Sequence, residues 1–98
     1  MALAPEDAAA IATRLVMDEG SGPIHGGRFY PYTDTVGKLT VGTGRNLSAK
    51  GISDDERALM LNNDVNDAVQ SLERYPWFQA LTAPVRRTLI CMVFNMGA

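Results

Sequence analysis

Three polar residues in the N-terminal half have the types and settings to do chemistry: Glu19, Asp34 and Thr40. Glu19 lies four residues after Leu15 on an apolar helical stripe, at the point where the helix ends. A carboxyl partly desolvated there, beside the carbonyl end of a helix, favours its protonated form. That is the state a general acid needs. Asp34 stands in YTDTVGKLTVGTG, residues 32–44, next to a tight turn. It either accepts hydrogen bonds from its own turn backbone or serves as the ionised partner of the protonated carboxyl. A pair of that kind is the usual requirement for breaking a glycosidic bond. Thr40 is either an ordinary strand residue or a hydroxyl that helps hold a water across the hairpin from Asp34.

The elements that must position these residues follow from pattern. A helix is predicted from about Pro5 to Glu19, with proline in its first turn and Glu6 and Asp7 at its positive end. Its apolar stripe is Ala8, Ile11, Ala12, Leu15 and Val16, and Gly20 ends it. Residues 20–28, GSGPIHGGR, read as a loop, and a mobile one if nothing packs on it. The threonines, valines and aromatics of FYPYTDTVGKLTVGTG suggest short strands around a TVGK turn. In the second strand Leu39, Val41 and Thr43 share the face expected to meet the core, leaving Thr40 on the glycine side. Ser53-Asp54-Asp55-Glu56 is a capping box and predicts a long helix to about Arg74. Pro76, Trp77 and Phe78 mark a break with a packed short segment. A last helix starts near Thr82 or Ala83 and runs to Met96. Its LICMVFNM run is apolar on most faces, which calls for neighbours on several sides.

Bulk properties exclude several function classes. The 98 residues fit one small α+β domain, with nine basic and eleven acidic residues and a formal charge of -2. That balance makes no electrostatic case for a nucleic-acid partner or an anionic membrane. No apolar segment reaches the roughly 18 residues of a transmembrane helix, and the start is unlike a secretory signal peptide. Cys91 is the single cysteine, expected to be buried in its apolar run. His25 is the single histidine, so no His/Cys metal cluster exists. No nucleotide-binding glycine motif is complete, and the acidic run in the long helix lacks a calcium loop's glycine. Neither a cofactor nor a metal is called for.

Taken together, DEG at 18–20, YTDTVGKLTVGTGRNL at 32–47, ISDDERALMLNNDVNDAV at 52–69 and VRRTLICMVFNMG at 85–97 resemble a known family. It is the phage-type lysozymes, or endolysins, of glycoside hydrolase family 24. The order and spacing match from about residue 8 to the end. The resemblance implies a lysozyme-like α+β fold and cleavage of the β-1,4 bond between N-acetylmuramic acid and N-acetylglucosamine in bacterial peptidoglycan. It implies inversion at the anomeric carbon without a metal. Carried over residue by residue, Glu19 is the general acid, Asp34 orients or activates the attacking water, and Thr40 helps position it.

Two departures from the family stand out. Fourteen residues, 20–33, separate Glu19 from Asp34, more than in the shorter members, and this glycine-rich insertion is expected to border the sugar site. The resemblance implies a second, helical lobe, and most of it is expected to be missing from these 98 residues. The resemblance divides the chain into a catalytic lobe at 1–51, a connecting helix at 52–74 and the start of a helical lobe at 75–98. The sequence reads as a truncated member. Three arrangements are open: part of a longer protein, a small variant that forms a homodimer through the apolar C-terminal helix, or a relative that binds the glycan strand without cleaving it. Synthesis without an export signal implies a cytoplasmic origin, with action on the cell wall after the membrane is opened.

Overall fold

The computed structural model describes residues 3–97. The chain packs as two units, Met1–Ile52 and Ser53–Ala98. The class is α+β, with five helices and two small antiparallel sheets among the described residues.

In the first unit α1 spans Pro5–Glu19, with Pro5 opening it, Glu6 and Asp7 in its first turn, and the Gly20 N–H donating back to the Val16 carbonyl. No residue of α1 is buried. The apolar stripe that was expected to face a core is therefore uncovered, with Ile11, Leu15 and Val16 each about half exposed. The helix has no side-chain cap at its start, so it rests on Pro5 at N1, the acidic first turn, its alanine-rich run and the Gly20 end rather than on packing.

Residues 20–28 are not the loop that their glycines suggest. Strands β1 (Ile24–His25) and β2 (Arg28–Phe29) pair antiparallel, Ile24 opposite Phe29 and His25 opposite Arg28. Gly26 and Gly27, both at positive φ, form the two-residue turn between them. A turn of this kind matches the twist of its strands only with positive φ at both positions, which is why glycine occupies both.

The second sheet has the order β3-β4-β5, with β3 Tyr32–Thr33, β4 Leu39–Val41 and β5 Arg45–Asn46. Tyr32 and Thr33 oppose Thr40 and Leu39, while Thr40 and Val41 oppose Asn46 and Arg45. Strand β4 stops at Val41, and Gly42-Thr43-Gly44 turns the chain into β5. A short helix, α2 (Leu47–Lys50), follows at once and packs on β4 and β5. The Asn46 side chain caps it by accepting from the Ala49 N–H at 3.0 Å. The expected core face is reversed: Leu39 is exposed and Thr40 is the buried residue of the strand, at 4% exposure. A three-residue central strand with α2 folded against it encloses its middle residue, whatever the polarity of its neighbours.

The second unit is helical. Helix α3 (Asp54–Glu73) opens on the predicted capping box. The Glu56 N–H donates to Ser53 Oγ, and the Ser53 N–H donates to Glu56 Oε1 at 2.7 Å. Helix α4 (Pro76–Gln79) and α5 (Ala83–Asn95) both pack against α3. Ala68, Leu72 and Phe78 form the buried core. Arg86 reaches back from α5 to the carbonyls of Gln79 and Leu81, holding the α4–α5 connection. Helix α5 itself buries no residue. An open apolar groove of about 510 Å³ lies between α3 and α5, lined by Leu61, Val65, Ile90, Cys91 and Phe94, with Arg87 and Asn95 at its margin. Cys91 is exposed there, not buried, because the apolar run around it has no covering element among the described residues.

The Ser53 cap carries a testable consequence. Ser53→Ala removes one member of the box and is expected to lower stability by about 1 kcal/mol, whereas Ser53→Asp is expected to retain most of it. Thermal unfolding followed by circular dichroism at 222 nm, the standard wavelength for helix content, checks this.

Candidate active site

The turn at 34–38 is built around one carboxylate. Asp34 Oδ1 accepts from the Val36 N–H at 3.0 Å and from the Lys38 N–H at 2.8 Å. The Gly37 N–H donates to the Asp34 carbonyl at 3.1 Å. These bonds are the turn-capping role that a short-chain carboxylate performs in tight loops. They also fix the side chain in one orientation. Only Oδ1 is engaged; no hydrogen bond to Oδ2 is made among the described residues.

Thr40 is tied to the same turn through a single backbone oxygen. The Lys38 carbonyl accepts from the Asp34 N–H and from Thr40 Oγ1, both at 2.9 Å. The Thr40 hydroxyl has its proton directed to Lys38 and its lone pairs available to accept. Burial of a hydroxyl is costly unless it is hydrogen-bonded, and this bond meets that requirement. Asp34, half-buried, and Thr40, buried, are thus joined by one shared acceptor.

Glu19, at the last position of α1, comes to the other end of this sheet. A Cβ placed on Gly44 would lie 3.7 Å from Glu19 Oε2 and 3.7 Å from its Cγ. The carboxylate therefore lies along the backbone of the β4–β5 turn, where Gly44 presents no side chain and has φ of 70°. Glu19 is solvent-exposed, so the partial desolvation expected for a buried stripe is not supplied by α1. No hydrogen bond among the described residues joins Glu19 to Asp34 or Thr40. The structure links the Asp34 backbone to the Thr40 hydroxyl through the Lys38 carbonyl, and it brings Glu19 to the β4–β5 turn.

Two participants left no mark that sequence reading could use. The Lys38 carbonyl is a backbone atom, and only the hairpin register reveals it. Gly44 reads only as a glycine on the Thr40 face of the second strand until the position of Glu19 is known. Other candidates add nothing to this site. His25 packs against the Tyr30 ring, centroids 5.5 Å apart. No group of three His, Cys, Asp or Glu side chains is arranged to hold a metal among the described residues. Among them, too, no helix is long and apolar enough to cross a membrane.

The turn bonds separate two roles of Asp34 by mutation. Asp34→Ala leaves the Val36 and Lys38 amides without their acceptor and is expected to cost about 1–3 kcal/mol. Asp34→Asn keeps an acceptor oxygen at the same place, and its loss is expected to be well under half of that. Urea denaturation of both variants measures the difference.

Comparison with known proteins bears on what such an arrangement is for. No curated protein matches the chain. The phage lysozyme family matches over residues 23–98. That span contains Asp34, Thr40, the three-stranded sheet and all the helices after it, while Glu19 lies four residues before its start. The match covers most of the sequence, and the chain belongs to the phage lysozyme family.

Proposed function

We propose that this chain is an endolysin-type muramidase of glycoside hydrolase family 24, hydrolysing the β-1,4 bond between N-acetylmuramic acid and N-acetylglucosamine with inversion. Glu19 is the general acid: its carboxyl gives a proton to the glycosidic oxygen as the bond from that oxygen to the anomeric carbon breaks. A water held by Asp34 and Thr40 attacks the opposite face of the same carbon, and Asp34 takes the water's proton. Room for that water requires the two carboxyl groups to stand about 6.5–9.5 Å apart. Positive charge growing on the sugar ring is stabilised by the ionised Asp34.

The observation that carries this reading is the half-used carboxylate of Asp34. Its Oδ1 is locked by two amides, which leaves Oδ2 as an oriented acceptor. The Thr40 hydroxyl, with its proton committed to the Lys38 carbonyl, is a second acceptor fixed by the same turn. Two fixed acceptors are what a nucleophilic water needs for its two protons. In this reading residues 1–51 form the catalytic lobe, 52–74 the connecting helix and 75–98 the start of a helical lobe. The protein acts on the cell wall from the cytoplasm of the producing cell once the membrane has been opened.

A second reading, glycan binding without cleavage, is favoured by the exposure of Glu19 and by its place outside the matched segment. A general acid works best where water is excluded and its carboxyl is held protonated. A second copy of the chain would cover the apolar face that the second unit leaves open. The groove between α3 and α5 is apolar and open, and α5 exposes Met92 and Phe94 beside it. We place the homodimer contact on this face.

Two experiments decide among these. In a turbidity assay on purified peptidoglycan, Glu19→Gln is expected to slow clearing about 10²–10⁴-fold. Asp34→Asn is expected to slow it comparably while remaining folded. Equal clearing by wild type and Glu19→Gln, or none by either, would count against hydrolysis by this chain. Light scattering is expected to give twice the mass of one chain. A short thiol-specific cross-linker is expected to join two copies through Cys91, the only cysteine. A single-chain mass at every concentration would exclude the dimer.

A further inference from the structure

The junction of α3 and α4 carries an aromatic surface that neither the turn at 34–38 nor the apolar groove uses. Arg74 caps the end of α3, Tyr75 caps the start of α4, and Trp77 is its second residue. The Tyr75 and Trp77 rings stack with centroids 5.4 Å apart and planes inclined by 22°. The Arg74 guanidinium carbon lies 5.0 Å from the centre of the Tyr75 ring, and Arg74 Nη2 donates to Tyr75 Oη at 3.0 Å. Trp77 remains 51% exposed and Tyr75 38%.

This cluster is held on rigid backbone. The Tyr75 N–H donates to the Leu72 carbonyl, and the Phe78 N–H donates to the Tyr75 carbonyl, each at 3.0 Å. Pro76 between the rings has a restricted φ, and Phe78 anchors α4 in the core at 2% exposure. The rings therefore lose little freedom when something lands on them. Arg74 makes no ion pair among the described residues, so its charge is open to an outside anion.

We propose that Arg74, Tyr75 and Trp77 form a second glycan-binding surface for peptidoglycan, separate from the reacting site. The inference rests on the peptidoglycan substrate of the reading above. A pyranose ring presents a face of C–H groups that stacks flat on an indole. A guanidinium held over the Tyr75 ring suits the carboxylates borne by muramyl groups and their peptide stems. A neutral sugar polymer would meet the rings but not the arginine. The pairing of a stacking face with a cation thus selects a glycan carrying negative charge.

Trp77 is the only tryptophan, so its fluorescence reports this surface without any substitution in it. The probe is soluble peptidoglycan fragments of two or more disaccharide-peptide units, added to the Glu19→Gln protein so that none is cut. A saturable change in emission is expected. In co-sedimentation with intact sacculi, Trp77→Ala is expected to bind about ten-fold more weakly. Arg74→Gln, an exposed change that leaves the fold alone, is expected to weaken binding of the charged fragments but not of chitin oligosaccharides. Unchanged emission together with unchanged sedimentation of both variants overturns the proposal. If wild-type protein clears peptidoglycan in that case, the hydrolase reading stands while this surface fails. If wild-type protein neither sediments nor clears, both fail.

Discussion

The N-terminal unit depends on one backbone oxygen. The Lys38 carbonyl closes the β3–β4 turn by accepting the Asp34 N–H, and it also accepts the hydroxyl proton of Thr40. A carbonyl has two lone pairs, and here both are used. The first bond sets the turn that lets Asp34 cap two amides. The second keeps a buried hydroxyl satisfied and aims its lone pairs away from Lys38. With strands of two and three residues, this sheet has few ladder bonds to resist slippage. A register shift of one residue would send Thr40 to the other face and detach it from the turn. Geometry at the site and pairing of the sheet are therefore one constraint.

Local chemistry made much of this readable in advance. The capping box at Ser53, the prolines that open α1, α4 and α5, and Gly20 after α1 act through neighbours in sequence, so α1 and α3 fall where pattern places them. The residue types of Asp34 and Thr40 left a turn aspartate and a plain strand threonine open beside a catalytic pair, and only the resemblance chose between them. What pattern missed depends on packing. Leu39 and Val41 were expected inside because strands alternate, yet Thr40 is enclosed once α2 folds onto β4. Helix α2 is too short to show a period, and the Gly26-Gly27 hairpin has strands of only two residues. Cys91 looked buried because its neighbours in sequence are apolar, but burial is decided by neighbours in space.

The same distinction explains why amphipathic helices here have so little to face. The buried apolar residues among those described are Ala68, Leu72 and Phe78, all in the second unit. Small domains bury a smaller fraction of their surface, and a chain divided into two units spreads that shortage further. Ile11, Leu15 and Val16 on α1 and Met92 on α5 are apolar at helical spacing and remain uncovered.

Gly44 shows how such a site limits the paths its own sequence can take. Its backbone lies in the left-handed region, which strains any other residue. Its missing side chain is also the space along which the Glu19 carboxylate rests. An alanine would meet that carboxylate at ordinary van der Waals distance and incur only the backbone strain, whereas a longer side chain would compete with Glu19 for the same volume. Backbone conformation and side-chain room would have to be corrected together, by changes at different places. Drift at this position is thereby graded by size, with each step away from glycine harder to compensate than the last.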